Sequence, residues 1–149
     1  VRGKFEDFEA SFTVAENIDD STAKATIKAA SINTDNADRD NHVKSDDFFA
    51  VEKFPELTFV STGFDVDAQG NGTVTGDLTI KGVTKSVTLD VEADGVAEDP
   101  FSNTRFGFEA KTKINRIDFG IDFTAPLKTG GVLLSEEIRI EIEGSAIKQ

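Results

Sequence analysis

Apolar and polar residues alternate one by one through most of this chain. Val74, Gly76, Leu78 and Ile80 alternate with polar neighbours, and ranges 86–92, 105–115 and 137–143 repeat the pattern. A period of two places successive side chains on opposite faces of a β-strand. One apolar and one polar face per strand is typical of antiparallel sheets, because buried parallel strands are apolar throughout. The sequence therefore predicts an all-β fold with an antiparallel sheet.

Interruptions of the alternation indicate corners, turns and helices. The apolar phase changes at Glu6-Asp7, which predicts a β-bulge or a corner. Glycine-containing stretches at 67–72, 81–82 and 94–95 predict turns. Range 33–52 is polar and irregular, and Ser45 looks like the N-cap of a short helix over 46–49. We expect one domain over residues 1–149, with about seven strands and one or two short helices after the second strand.

Composition excludes several functional classes. The 28 acidic and 16 basic residues give a net charge of −12, which argues against nucleic-acid binding. The chain has no Cys, which excludes thiol catalysis and thiolate metal sites. No apolar run approaches the ~20 residues of a membrane span. No signal peptide is recognisable at Val1, which favours a cytoplasmic protein; a periplasmic or secreted protein is the alternative if an N-terminal segment was removed.

The polar residues form no catalytic or metal-binding motif. His42 is the only histidine, and no Gly-x-Ser-x-Gly element accompanies it. Asp35, Asp38 and Asp40 lack the glycine and glutamate positions of an EF-hand loop. Arg39 and Arg116 are each expected to pair with a buried carboxylate or to bind an anionic ligand head. We therefore predict a non-enzymatic protein without metal or cofactor, with an enzyme using His42 and a carboxylate as the alternative.

The predicted apolar faces mix large and small residues. Phe side chains stand beside Ala and Gly, and the chain has 13 Phe but no Tyr or Trp. A small barrel with such a lining either holds an apolar ligand or is simply filled by its side chains. Both interpretations follow from the residues alone.

Several runs of residues form a recognisable series: Arg39-Asp-x-His42, Asp47-Phe-Phe49, Phe54-Pro55-x-Leu-Thr-Phe59-x-Ser61, Val74-x-Gly76-x-Leu78-Thr79-Ile80-x-Gly82-Val83-Thr84 and Arg116-x-Asp118-Phe119-Gly120. In their order and spacing, across nearly the whole chain, these runs resemble the YceI-like family. The resemblance implies an extended lipocalin-like antiparallel β-barrel. It also implies a long-chain isoprenoid ligand of the prenyl phosphate or quinone type in an apolar channel, and a homodimer. Family members normally begin with a further strand carrying Trp and His-Ser, which is not found ahead of Val1. A filled barrel that serves a structural or protein-interaction role is the alternative.

Alternation and the resemblance together select candidate binding residues. Arg39 and His42 lie in a segment that could cap the channel mouth and contact a ligand head group. The inward-facing positions expected to line the channel are Phe8, Phe12, Ala25, Ile27, Phe59, Leu78, Ile80, Leu89, Phe106, Phe108, Ile140 and Ile142.

Overall fold

The computed structural model describes residues 2–98, 100–101, 104–123 and 135–148. Strands dominate, and the described residues contain one short α-helix. Short 3₁₀ turns cover Ile18–Asp20, Ala29–Ser31 and Arg116–Phe119. The elements are β1 (Lys4–Phe5), β2 (Phe8–Thr13), β3 (Thr22–Lys28), β4 (Ile32–Asn33), α1 (Ala37–Lys44), β5 (Glu56–Val66), β6 (Gly72–Ile80), β7 (Val83–Glu98), β8 (Thr104–Asn115) and β9 (Glu137–Ile147).

Seven strands form one antiparallel sheet in the order β2-β3-β5-β6-β7-β8-β9, and β1 pairs separately with β4. The sheet is strongly curled. β2 and β8 are five strand positions apart, which would separate them by about 24 Å in a flat sheet. The rings of Phe12 and Phe108 on these strands are nevertheless 5.2 Å apart between centroids. The fold is therefore an open half-barrel of lipocalin-like form, which confirms the predicted fold class.

Two interruptions of the alternation lie where the sequence predicts them. The chain leaves the β1–β4 pair at Phe5 and enters the large sheet at Phe8, so Glu6-Asp7 is a corner. Lys81 and Gly82 have φ values of 51° and 75° and join Ile80 directly to Val83. Positive φ at both central residues defines a two-residue type I′ hairpin, which suits the twist of the strands.

Two other local predictions are wrong. Ser45 ends a helix instead of starting one: α1 begins after Asn36, whose side chain accepts a hydrogen bond from the Arg39 N–H. Asp94-Gly95 is not a turn, because β7 runs on to Glu98 and its register with β8 shifts between Ala93 and Gly95. Gly95 has a φ of 108°, so the glycine permits a β-bulge at this point.

The hydrophobic core lies at one end of the half-barrel. Leu57, Ile80, Ile114 and Phe119 are buried there, where β5 and β7 begin and β6 and β8 end. Phe48 and Phe49, which follow α1, pack against this cluster. We call this the packed end, and the opposite end, where β5 and β7 finish and β8 begins, the open end.

Candidate ligand-binding face

The strand registers place the predicted inward positions on one concave apolar face. Ala25, Phe59 and Leu78 are successive cross-strand partners, and Ala110 of β8 stands opposite Ile142 of β9. Cross-strand partners share a face, so the concave face runs continuously across the sheet. Of the predicted positions, Leu78 and Ile80 are buried; Ala25, Ile27, Phe59, Leu89, Phe108 and Ile140 are half-buried; and Phe8, Phe12, Phe106 and Ile142 are exposed.

The packed end of this face is filled by side chains. Ile27, Phe59, Leu78, Ile80 and Ile140 all belong to or pack against the core cluster. Phe59 lies so closely over the backbone of Gly76 that a Cβ built on this glycine would lie 2.4 Å from the ring. The absence of a side chain at Gly76 is thus what admits the ring.

The open end has three phenylalanines, of which Phe108 contacts the other two. Phe108 packs edge-on against Phe12 and stacks on Phe106 with centroids 6.2 Å apart. Phe12 is 41% exposed and Phe106 is 37% exposed. Gly144 on the neighbouring strand leaves room beside Phe108, whose ring lies 3.3 Å from where a Cβ would stand. We call Phe12, Phe106 and Phe108 the open-end triad.

Sequence reasoning missed one aromatic residue of the same face. Phe64 stands opposite Val74, an inward position of β6, and is half-buried. The alternation through Leu57, Phe59 and Ser61 assigns Phe64 to the outer face, but the register shifts between Ser61 and Gly63. A β-bulge inserts one residue and so reverses the phase of everything that follows.

The structure places Arg39 and His42 at the packed end, beside the core and far from the open-end triad. The Arg39 Nε donates to Thr34 Oγ1 at 3.0 Å, and its Nη2 donates to the Thr34 carbonyl. The N–H and hydroxyl of Thr34 both donate to Asp40, and these two bonds hold the pKa of Asp40 below its usual range. This network fixes the start of α1. Whether Arg39 contacts a ligand head group stays a prediction.

His42 belongs to an aromatic cluster near the C-terminal end of α1. Its Nε2 lies 2.8 Å from an Asp47 carboxylate oxygen, and its ring meets Phe48 and Phe123 edge-on at 5.1 and 5.0 Å. The imidazole therefore joins the end of α1 to the segment after β8. Its predicted contact with a head group likewise stays a prediction.

Arg116 is almost completely buried and holds main-chain carbonyls. Its Nε donates to the Ser135 carbonyl at 3.0 Å and its Nη1 to the Ile121 carbonyl at 2.7 Å. Its Nη2 is buried without a hydrogen-bond partner. In the part of the chain that is described, Arg116 therefore has no carboxylate partner of the kind the sequence suggests. It instead links the segment that follows the 3₁₀ turn Arg116–Phe119 to the residues just before β9.

The curled antiparallel sheet, the concave apolar face and the short helix at one end define a lipocalin-like domain of the binding type. The YceI-like domain model matches residues 1–146, and the chain belongs to this family. A UPF0312 protein of Staphylococcus aureus (strain MSSA476) is 42% identical over 145 residues, which span 95% of this chain and 81% of that protein. A UPF0312 protein of Photorhabdus laumondii is 44% identical over 144 residues, spanning 95% and 72% of the two chains.

Solved structures show the same fold. The crystal structure of the Campylobacter jejuni YCEI protein superposes with a TM-score of 0.85 at 36% identity and covers 100% of this chain and 85% of its own. Burkholderia cenocepacia BcnA superposes with a TM-score of 0.80 at 27% identity, covering 97% and 86%. Among the residues described here, no helix has the length and apolar character needed to cross a membrane.

Proposed function

We propose that this protein binds a long-chain isoprenoid lipid of the prenyl phosphate or quinone type, as a carrier and without catalysing a reaction. The tail lies along the concave apolar face at the open end. The observation that carries the proposal is the open-end triad, since aromatic rings that contact one another and still face solvent offer apolar area to a ligand.

Because side chains fill the packed end, we expect the ligand to occupy only part of the concave apolar face. Leu57, Ile80 and Phe119 occupy the packed end, so the tail has room beside Phe108 and not beside Ile80. An isoprenoid tail is branched, flexible and purely apolar, and it matches the Phe, Ile and Ala side chains of this face. In this arrangement the polar head group of the ligand lies outside the concave apolar face.

The test is native mass spectrometry of the freshly purified protein, together with analysis of an organic extract. We expect a bound species of isoprenoid mass in the wild type and in Val60→Asp, which places the new charge on the exposed outer face. Phe108→Asp should lose it, because a carboxylate in the middle of the triad would have to be desolvated against the tail.

Two outcomes would count against the proposal. One is full retention of the lipid by a folded Phe108→Asp variant. The other is failure of the apo wild type to take up added prenyl phosphate and quinone under conditions in which the protein is folded by circular dichroism. The oligomeric state is read from the same spectra, in which the family resemblance leads us to expect a dimer.

A further inference from the structure

Strands β7 and β8 project past β5 and β6 at the open end. β6 begins at Gly72, opposite Val91, whereas β7 continues to Glu98. The turn between β5 and β6 reaches as far as Ala93, whose N–H donates to Asn71 Oδ1 at 3.1 Å. Beyond Ala93, β7 therefore extends by roughly 15 Å at about 3.3 Å per residue, with β8 and the end of β9 beside it.

This projection carries exposed apolar side chains. We call its described residues beyond the cross-strand pair of Ala93 and Phe108 the β7–β8 tip; they are 94–98, 100–101 and 104–107. Phe101 is 82% exposed and Val96 is 70% exposed. Val96 stands opposite Phe106, so the tip adjoins the open-end triad.

The strand on the other side of the opening ends in the same way. β2 finishes at Thr13, and the exposed Val14 follows it at the open end. The ring contact between Phe12 and Phe108 holds β2 close to β8. Exposed apolar side chains therefore lie on both sides of the entrance to the concave apolar face, and such clusters mark contact surfaces for proteins or membranes.

The apolar area of the tip favours a membrane over a protein. Complete burial of a phenylalanine removes about 150–250 Å² from water, and a valine adds less. A stable protein–protein interface buries about 800 Å² on each partner, several times what Phe101 and Val96 supply. A fluid bilayer needs no fitted surface, and protruding apolar side chains, Phe among them, enter the boundary between its head groups and acyl chains.

The net charge of the chain lies away from the tip. Ranges 94–107 and 145–148 contain three acidic and two basic residues, a net charge of −1 in a chain of −12. An anionic leaflet repels acidic groups within a Debye length of its surface. The tip therefore adds little repulsion of its own, while the acidic remainder of the chain favours an uncharged bilayer surface over an anionic one.

We propose that the β7–β8 tip docks on the surface of a zwitterionic phospholipid bilayer, with Val96 and Phe101 entering the boundary between head groups and acyl chains. The entrance to the concave apolar face then lies at the membrane, so a lipid tail passes between the two without crossing water. This inference rests on the proposed lipid carriage, because a carrier has to exchange its lipid with a membrane. Docking by a few side chains is weak and reversible, as exchange requires.

The first experiment measures flotation of the full chain with phosphatidylcholine vesicles. We expect the wild type to float and Val96→Ser Phe101→Ser to bind about tenfold more weakly or less, because burial of one phenylalanine is already worth about that factor. Val60→Ser is the matched control: the same substitution at a valine that is 55% exposed on the outer face should change binding by less than about twofold. Vesicles containing phosphatidylglycerol should bind less wild type at low salt, and added NaCl should narrow the difference.

A second experiment locates the contact. The chain has no Trp, so a single introduced tryptophan reports on its own surroundings. Vesicles of brominated phosphatidylcholine should quench the fluorescence of Phe101→Trp and leave that of Val60→Trp unchanged. Equal quenching of both variants, or of neither, would overturn the inference. So would a blue shift of Phe101→Trp fluorescence with rising protein concentration in the absence of vesicles, which would assign the tip to a second copy of the chain.

Native mass spectrometry of the same proteins distinguishes failure of docking from failure of carriage. Val96→Ser Phe101→Ser should keep the isoprenoid species, because the open-end triad is unchanged. A wild type that carries isoprenoid but does not float with vesicles would overturn docking and leave the proposed carriage intact. A wild type that floats through its tip but takes up no isoprenoid would refute carriage and support docking alone.

Discussion

Adding one methyl group at Gly76 tests how tightly the concave apolar face is packed at the packed end. A Cβ at this position would lie 2.4 and 2.6 Å from two atoms of the Phe59 ring and 2.7 Å from the Val60 carbonyl oxygen. Ordinary carbon contacts need about 3.5 Å, so the ring would have to retreat by about 1 Å. The main-chain oxygen is held in the β5–β6 ladder and cannot move independently.

Because both obstacles must give way, Gly76→Ala should cost about 1–3 kcal/mol of unfolding free energy, the usual range for an overpacked core. For a domain of this size, that corresponds to a fall in Tm of about 2–12 °C. Urea unfolding followed by circular dichroism measures the free energy, and a thermal scan measures Tm.

Gly63→Ala is the matched control. Gly63 lies in the same strand pair, has no atom within 4 Å of its built Cβ and does not have a positive φ. Its replacement should be neutral or stabilising by about 0.4–1 kcal/mol, because alanine restricts the unfolded chain. Phe59→Leu combined with Gly76→Ala should recover part of the loss, since the smaller side chain leaves space for the methyl group. A Gly76→Ala protein as stable as the wild type, or a Gly63→Ala protein equally destabilised, would refute the reasoning.

Three further predictions concern the fold. Arg116→Met keeps the bulk but removes the donors to the buried Ile121 carbonyl and the partly buried Ser135 carbonyl, so the unfolding free energy should fall by about 2–4 kcal/mol; an unchanged urea midpoint would contradict this. In ¹³C NMR the Asp40 carboxyl should titrate below the ordinary aspartate pKa, and Thr34→Val should raise its pKa. Because the folded pKa is lowered, the contribution of Asp40 to the unfolding free energy is present at neutral pH. This contribution is lost as the pH falls through the ordinary aspartate range towards the folded value. Ile80→Ala should cost about 2–5 kcal/mol by urea unfolding, whereas Ile142→Ala, 38% exposed, should cost less than half as much; equal losses would mean that the two ends are packed alike.

The regular part of the fold could be predicted because alternation is a local property. Val74 to Ile80 and Phe106 to Ile114 lie on strands as their patterns indicate, and the Lys81-Gly82 turn follows from glycine at a position with positive φ. Bulges limit such prediction, because they depend on the neighbouring strand. Phe64 therefore changes face after the register shift beyond Ser61. Gly95 is compatible with a bulge as well as with a turn, so its presence alone does not distinguish the two.

The site could be predicted in outline only. Alternation assigns Phe12, Phe59 and Phe108 to one face, but it cannot distinguish the buried end of a face from the exposed end. That difference arises because Phe48 and Phe49 reach the core from outside the sheet, a long-range contact without a periodic pattern.

The order of the large sheet also has a consequence for how the chain folds. From β5 to β9 every strand pairs with the next one along the sequence, and the Lys81-Gly82 turn joins β6 to β7 with two residues. The three pairs β5–β6, β6–β7 and β7–β8 have short connections, so they can form in sequence order with little loss of chain entropy. The β3–β5 ladder instead has to close the segment 29–55, which costs about 2 kcal/mol more than closing a two-residue turn. We therefore expect the β6–β7 hairpin to acquire hydrogen-exchange protection early in refolding, and β2 and β3 to join it afterwards.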